Sequence, residues 1–307
     1  MLFLPLILVL LGGSACNENA GASKAGGTVS VDGQVSRLAG ESDTGNRYPS
    51  TVMVFTQASG TEQKGRQCSG VLVDPRLVLT AGHCVCMKQE SPMPGSGGKV
   101  LIDSSRCSKT ATITTVVYEP PTSERGVRSF TQDYPGEVRP HPEIRVLLDE
   151  QGGVVSSEAD LAVIFLETPV EGHFPPVELA DTEIEPGESL FMVGFGSDEV
   201  LGTLGGKRRF RETSVTRMLG SGRALFEPTE PHVYRGDSGG PCLRETQNGM
   251  VLVGILSRGL GKEASLMRTY PYRAWVREEI QRAKKTEIFL ATPVAQEENS
   301  GPTSEPR

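Results

Sequence analysis

The sequence predicts an all-β protein, a barrel or sandwich of short strands with one helix at its C-terminal end. The first observation is the density of chain breakers: 36 Gly and 21 Pro in 307 residues, about 19% against a typical ~12%. Such a chain is poorly suited to a helical bundle or coiled coil and suits strands joined by turns. The second is a series of short apolar runs separated by turn signals. They fall at Thr51–Phe55, at Gly70–Val73 and Leu77–Thr80 around an Asp74-Pro75 turn, and at Thr110–Tyr118. Further runs are Leu161–Leu166, Leu190–Val193 and Met250–Ser257. The third is a single helical period, in which Tyr272, Trp275, Val276, Ile280 and Ala283 share one face behind Pro271, a residue suited to a first helical turn. That face is expected to dock on the preceding β-structure.

At the N-terminus, Leu2 to Leu11 are all apolar, too short a run for the ~20 residues of a membrane-spanning helix and of the length of a signal-peptide core. Small residues Gly12-Gly13-Ser14-Ala15 lead to Cys16. The stretch Gly13-Ser14-Ala15-Cys16 resembles the lipobox of bacterial lipoproteins, in which the Cys becomes the lipidated N-terminus. Ordinary cleavage after Ala15, with Cys16 unmodified, is the other reading. Both imply export, to a periplasm, as an outer-membrane lipoprotein, or as a secreted protein. Contact with a membrane is expected only through a lipid on Cys16. Residues 16–37 read as a Gly/Ala/Ser/Asn-rich linker and propeptide, and residues 287–307 as a polar, disordered tail.

With 37% hydrophobic residues the chain can bury a core. Its 31 basic and 38 acidic side chains leave a formal charge of −7, with no basic block of the kind nucleic acid requires. The cysteines are Cys16, Cys68, Cys84, Cys86, Cys107 and Cys242, disulfide candidates in an exported protein. They lack the repeated C-x-x-C spacing of a structural zinc site, and neither a metal nor an organic cofactor is expected.

Three segments carry chemistry: Leu79-Thr80-Ala81-Gly82-His83-Cys84, Ala159-Asp160-Leu161-Ala162-Val163, and Gly236-Asp237-Ser238-Gly239-Gly240-Pro241. A serine hydroxyl is a weak nucleophile that needs a base, and the base needs a third group to fix its tautomer. His83, Asp160 and Ser238 supply those parts. Glycines around Ser238 permit a tight turn whose N–H groups can face a developing oxyanion.

These segments resemble the trypsin/chymotrypsin family of serine endopeptidases. TAGHC stands for the family's TAAHC, DLAV for its DIAL, and GDSGGP is intact. Cys68-Ser69-Gly70 is similar to the family's CGG, His141-Pro142 to its His-Pro, Val193-Gly194-Phe195-Gly196 to its GWG segment, and Ser257-Arg258-Gly259 to its substrate-aligning SWG. The resemblance covers about residues 38–286 and implies two antiparallel six-stranded β-barrels packed together, with the site between them. It implies Ser238 as nucleophile, His83 as base and then acid, Asp160 as its orienting group, and the N–H groups of Gly236 and Ser238 as oxyanion hole. Protein or peptide would be the substrate of a monomeric enzyme. A protease-like binding module that has lost catalysis is the alternative.

The resemblance also implies a Cys68–Cys84 disulfide; departing from the family, Cys86 and Cys107 read as a second, atypical bridge inside the insertion after His83, and Cys242, without the family's partner near Leu190, reads as a buried free thiol. Arg37-Leu38-Ala39-Gly40-Glu41 stands where the family has Arg before IVGG, with Pro49 downstream. Cleavage after Arg37 by an activating protease would let the new Leu38 amine pair with Asp237. The specificity pocket, with His232, Ser257 and Gly259, departs from the trypsin type. His232 replaces the Asp that binds Lys or Arg, and Tyr234 replaces a pocket Cys. Little cleavage after Lys or Arg is expected, with acidic or medium apolar residues as alternatives. A His232 turned away from the pocket is equally open. The segment from His83 to Asp160 is longer than the family needs, and 118–138 reads as an inserted surface loop. Lys207-Arg208-Arg209-Phe210-Arg211 reads as a local basic patch on an exposed strand end or loop.

Overall fold

A computed structural model describes residues 40–56, 66–92, 95–122, 126–196, 207–226, 236–260 and 263–291. The first half of the chain runs β1 (Glu41–Ser42), β2 (Thr51–Thr56), β3 (Arg66–Asp74), β4 (Leu77–Thr80), a helical turn α1 (Gly82–Val85), β5 (Cys86–Lys88) and β6 (Val100–Cys107). It continues through β7 (Thr110–Glu119), β8 (Arg128–Pro140), β9 (Arg145–Leu148), β10 (Val154–Glu158) and β11 (Ala162–Leu166). The second half holds β12 (Glu178–Leu179), β13 (Ser189–Gly194), β14 (Arg209–Met218), β15 (Arg223–Phe226), β16 (Pro241–Thr246), β17 (Gly249–Leu260), β18 (Glu263–Arg268) and the helix α2 (Arg273–Ala291).

Strands β11-β4-β3-β2-β7-β8 close one antiparallel barrel. The apolar run of β4, LVLT, is buried throughout, as a short continuous run covered on both faces should be. Strands β14-β13-β16-β17-β18-β15 close a second through the β14–β15 pair. The architecture is therefore the two six-stranded barrels expected. β1 is added to β14, with Glu41 opposite Phe210 and Ser42 opposite Arg209. Helix α2 buries Val276 and Ala283, the centre of the apolar face read from its period. It runs to Ala291, past the domain end at residue 286 expected from the sequence.

Part of the long connection from His83 to Asp160 forms a third sheet, β10-β9-β6-β5, which the sequence did not reveal. β5 starts at Cys86, just after His83, and β10 ends at Glu158, just before Asp160. The stretch 118–138 is not a loop for most of its length. Arg128–Pro140 is strand, paired with β7 and β11. Its Pro135 and Gly136 obscured a period-two alternation that buries Tyr134, Gly136 and Val138.

The basic segment at 207–211 is also corrected. Arg208 is fully buried: its Nε donates to Asp43 Oδ2 at 2.7 Å and its other nitrogens to the Val116 carbonyl and Asn46 Oδ1. Asp43 also accepts the backbone N–H groups of Arg47 and Tyr48. A charge is tolerated inside because every element of this cluster is paired. The cluster fastens the segment after residue 40 between the two barrels.

Cys68 is bonded to Cys84 and Cys86 to Cys107, while Cys242 is a buried free thiol. The loops closed span 16 and 21 residues, for which chain entropy suggests about 3 kcal/mol each.

Candidate active site

His83 lies in α1, the turn that begins where β4 leaves the first barrel, and is almost fully buried. Asp160 lies at the other end of the third sheet, just before β11, and is inaccessible to solvent. The backbone ahead of it is strained, since Ala159 has φ 46°, a left-handed conformation that a Cβ disfavours by ~1–2 kcal/mol. The turn is held by the Leu161 N–H donating to the Ala159 carbonyl and the Ala159 N–H donating to the Tyr272 hydroxyl at 3.1 Å. Tyr272 closes the 3₁₀ turn that opens into α2 and packs edge-on with His141. Docking of the C-terminal helix thus helps to aim Asp160.

Asp160 Oδ1 accepts the backbone N–H of His83 at 2.7 Å. Its Oδ2 lies 2.7 Å from His83 Nδ1 and accepts the Ser257 hydroxyl at 2.6 Å. An ionised carboxylate only accepts, so Nδ1 carries the hydrogen and Nε2 keeps a lone pair when the ring is neutral. Burial alone would raise the Asp160 pKa. The His83 ring and the hydrogen bonds from His83 and Ser257 outweigh it and hold the group at about 2.

Ser238 sits in the loop 236–240 between the barrels. Its carbonyl accepts the Ser69 N–H at 2.8 Å and lies 3.5 Å from Sγ of Cys84, the residue after His83. The Gly239 N–H donates to Leu256 and the Gly240 N–H to Asp237. Gly239 must be glycine: at φ 87° a Cβ would be driven into the Ser69 carbonyl and the Thr80 hydroxyl. Gly236 likewise has φ 110°. Among the described residues, no acceptor engages the N–H of Gly236 or of Ser238.

Asp237 turns towards the second barrel, where its Oδ1 accepts the Gly196 N–H at 2.7 Å. The structure thus brings His83, Asp160 and the Ser238 loop together. It sends the side chain of Ser257, expected at the specificity pocket, onto Asp160; Gly259 stays in β17. His232, Arg37, Leu38 and Cys16 lie outside the described residues. Sequence reasoning missed the supports of the site, Tyr272, Ala159 and Ser69. The only signal for the last was a serine standing where the resembling motif has glycine.

Residues 39–276 match the protein family described as Trypsin. "Serine proteinase stubble" of Drosophila melanogaster is 27% identical over 273 residues, which cover 80% of this chain and 31% of that protein. "Serine protease SP24D" of Anopheles gambiae is 25% identical over 258 residues, covering 80% of this chain and 76% of that protein. The chain spans less than a third of the length of the first relative.

Proposed function

Since the chain belongs to the trypsin family, we propose that it is a serine endopeptidase that cuts protein substrates through Ser238, His83 and Asp160. The observation that carries this is the doubly held carboxylate: Asp160 takes both the backbone N–H and Nδ1 of His83, leaving Nε2 as the base. His83 removes the Ser238 proton as Oγ attacks the scissile carbonyl. It then protonates the leaving amine, and water hydrolyses the acyl-enzyme by the same route in reverse. The N–H groups of Gly236 and Ser238, unengaged among the described residues, receive the oxyanion. Hydrolysis of a peptide library by the processed protein, set against Ser238→Ala, tests this. Loss of turnover by about 10⁶ supports it, and a variant retaining a tenth of the rate, with contaminating protease excluded, overturns it.

Activation by cleavage after Arg37 is part of the same reading. Ser42 pairs with Arg209, Arg209 with Gly194, and a Cβ on Gly194 would strike the Asp237 carboxylate. Asp237 is therefore about two strand spacings from β1, roughly 10 Å, and four extended residues reach ~13 Å. That span supports a Leu38 amine reaching Asp237 and fixing the loop that holds Gly236. Uncut Arg37→Gln protein should then be inactive, and full activity with an intact Arg37–Leu38 bond excludes the step.

The chain is proposed to be exported. If Cys16 carries a lipid, the same cleavage releases the enzyme from its membrane. The two relatives are insect proteins and add nothing to the bacterial lipoprotein reading of Cys16. His232 in place of an acidic residue points away from Lys or Arg ahead of the cut, and a cleavage profile dominated by those residues refutes that preference.

A further inference from the structure

Ser69, in strand β3, reaches across to the loop that carries Ser238. Its side chain is fully buried. The hydroxyl donates to the Gly236 carbonyl at 2.8 Å and accepts the Phe195 N–H at 2.9 Å. Its backbone N–H donates to the Ser238 carbonyl at 2.8 Å, and its own carbonyl accepts the Thr80 hydroxyl at 2.7 Å. One residue of the first barrel thus pins the carbonyls of Gly236 and Ser238. Those are the two residues whose N–H groups are proposed to bind the oxyanion. Gly236 at φ 110° has no side chain to restrict it. With its carbonyl fixed, the peptide that follows it is fixed, and its freedom to swing its own N–H out of line is reduced. The contact to Phe195 ties the same hydroxyl to the Gly194–Gly196 segment, where Asp237 is also anchored.

We propose that Ser69 is a positioning residue of the oxyanion hole, its hydroxyl holding the Gly236–Asp237 peptide across the barrel interface and so restricting the Gly236 backbone whose N–H transition-state binding needs. The proposal rests on the serine-protease reading above. It concerns a side chain that the glycine of the resembling CGG motif would not supply. A misaligned donor is lost only when negative charge develops, so the effect belongs in kcat and not in substrate binding.

The test compares processed wild type with Ser69→Ala and Ser69→Thr, in KM, kcat and affinity for a peptide boronic acid that forms a tetrahedral adduct. A non-covalent product peptide serves as the ground-state probe. Ser69→Ala is expected to lower kcat by roughly tenfold to a hundredfold, below the ~10²–10³ of deleting a donor outright. KM and product affinity should change by no more than about threefold, and boronate affinity should fall in step with kcat. Ser69→Thr, which keeps the hydroxyl, should recover most of the loss. Should Ser69→Ala not fold, Ser69→Gly removes the same hydroxyl with no Cβ and carries the same expectation. A folded Ser69→Ala or Ser69→Gly with wild-type kcat and boronate affinity overturns the proposal while the protease reading stands. A rise in KM equal to any loss in kcat/KM overturns it too. A folded, processed wild type that neither hydrolyses peptides nor binds boronate overturns both.

Discussion

Replacing Asp160 by Asn tests the geometry that the catalytic reading depends on. The carboxylate meets three donors: the His83 N–H on Oδ1, and His83 Nδ1 and the Ser257 hydroxyl on Oδ2, all between 2.6 and 2.7 Å. An amide offers one oxygen and one NH₂. With its oxygen towards the His83 N–H, the NH₂ faces Nδ1, which must then present its lone pair and move the ring hydrogen to Nε2. The Ser257 hydroxyl can rotate to accept. With the amide reversed, NH₂ opposes a buried backbone N–H. The first arrangement costs less, so the variant stores His83 in the tautomer that cannot take the Ser238 proton. The family's triad loses about 10⁴ in turnover from this change, or roughly 5 kcal/mol of barrier.

Stability should move as well. The His83 ring and the hydrogen bonds hold Asp160 at about 2 in the fold against an ordinary 3.8, a difference worth about 2 kcal/mol. That stabilisation is fully present above the unfolded pKa and is lost as pH falls through the folded one, so it disappears between about pH 4 and pH 2. Asp160→Asn should flatten this part of the stability–pH curve. The assays are kcat on a peptide amide at neutral pH, normalised to folded protein, and denaturant unfolding across the acid range. A folded Asn variant within tenfold of wild-type kcat would refute the tautomer argument.

Three further outcomes follow from burial and strain. Ala159→Gly, at φ 46°, should raise unfolding free energy by up to about 1 kcal/mol, opposite in sign to an ordinary Ala→Gly change; a loss of that size by denaturant unfolding shows that the turn is not strained. Arg208→Met leaves Asp43 charged, buried and without its cation, so unfolding free energy should fall by about 3–5 kcal/mol, and a loss under about 1 kcal/mol contradicts the buried pairing. Cys242 is fully buried, which pushes its thiol well above the ordinary range, so iodoacetamide should add mass at this residue only after unfolding. Rapid alkylation of native protein would show the thiol to be accessible.

The segments around His83, Asp160 and Ser238 were legible because each is a short run whose residue types the chemistry and the backbone fix together. Glycine is demanded at Gly239 by a left-handed φ and a close approach, and such needs leave a fixed pattern in the sequence. Strands such as β4 and β11 were legible because their apolar runs are continuous. The third sheet was not. β6 carries Asp103, Ser104 and Ser105 within one strand, and β9 is too short to show a period. Arg208 read as solvated because its partner Asp43 lies 165 positions away. The contact of Ser257 with Asp160 spans 97 positions, and that of Ser69 with Gly236 spans 167. Hydroxyl roles of this kind become visible only when the barrels are brought together.

We propose that His83, held by Asp160, activates Ser238 as a nucleophile. Stoichiometric labelling by a fluorophosphonate tests it most directly, because the reagent reacts with a serine activated in this way and needs no knowledge of the substrate. One adduct per processed molecule is expected, mapped by peptide mass to Ser238 and absent from Ser238→Ala. A processed, folded protein with both disulfides intact that takes no label, or takes it on another serine, would rule out this role for Ser238.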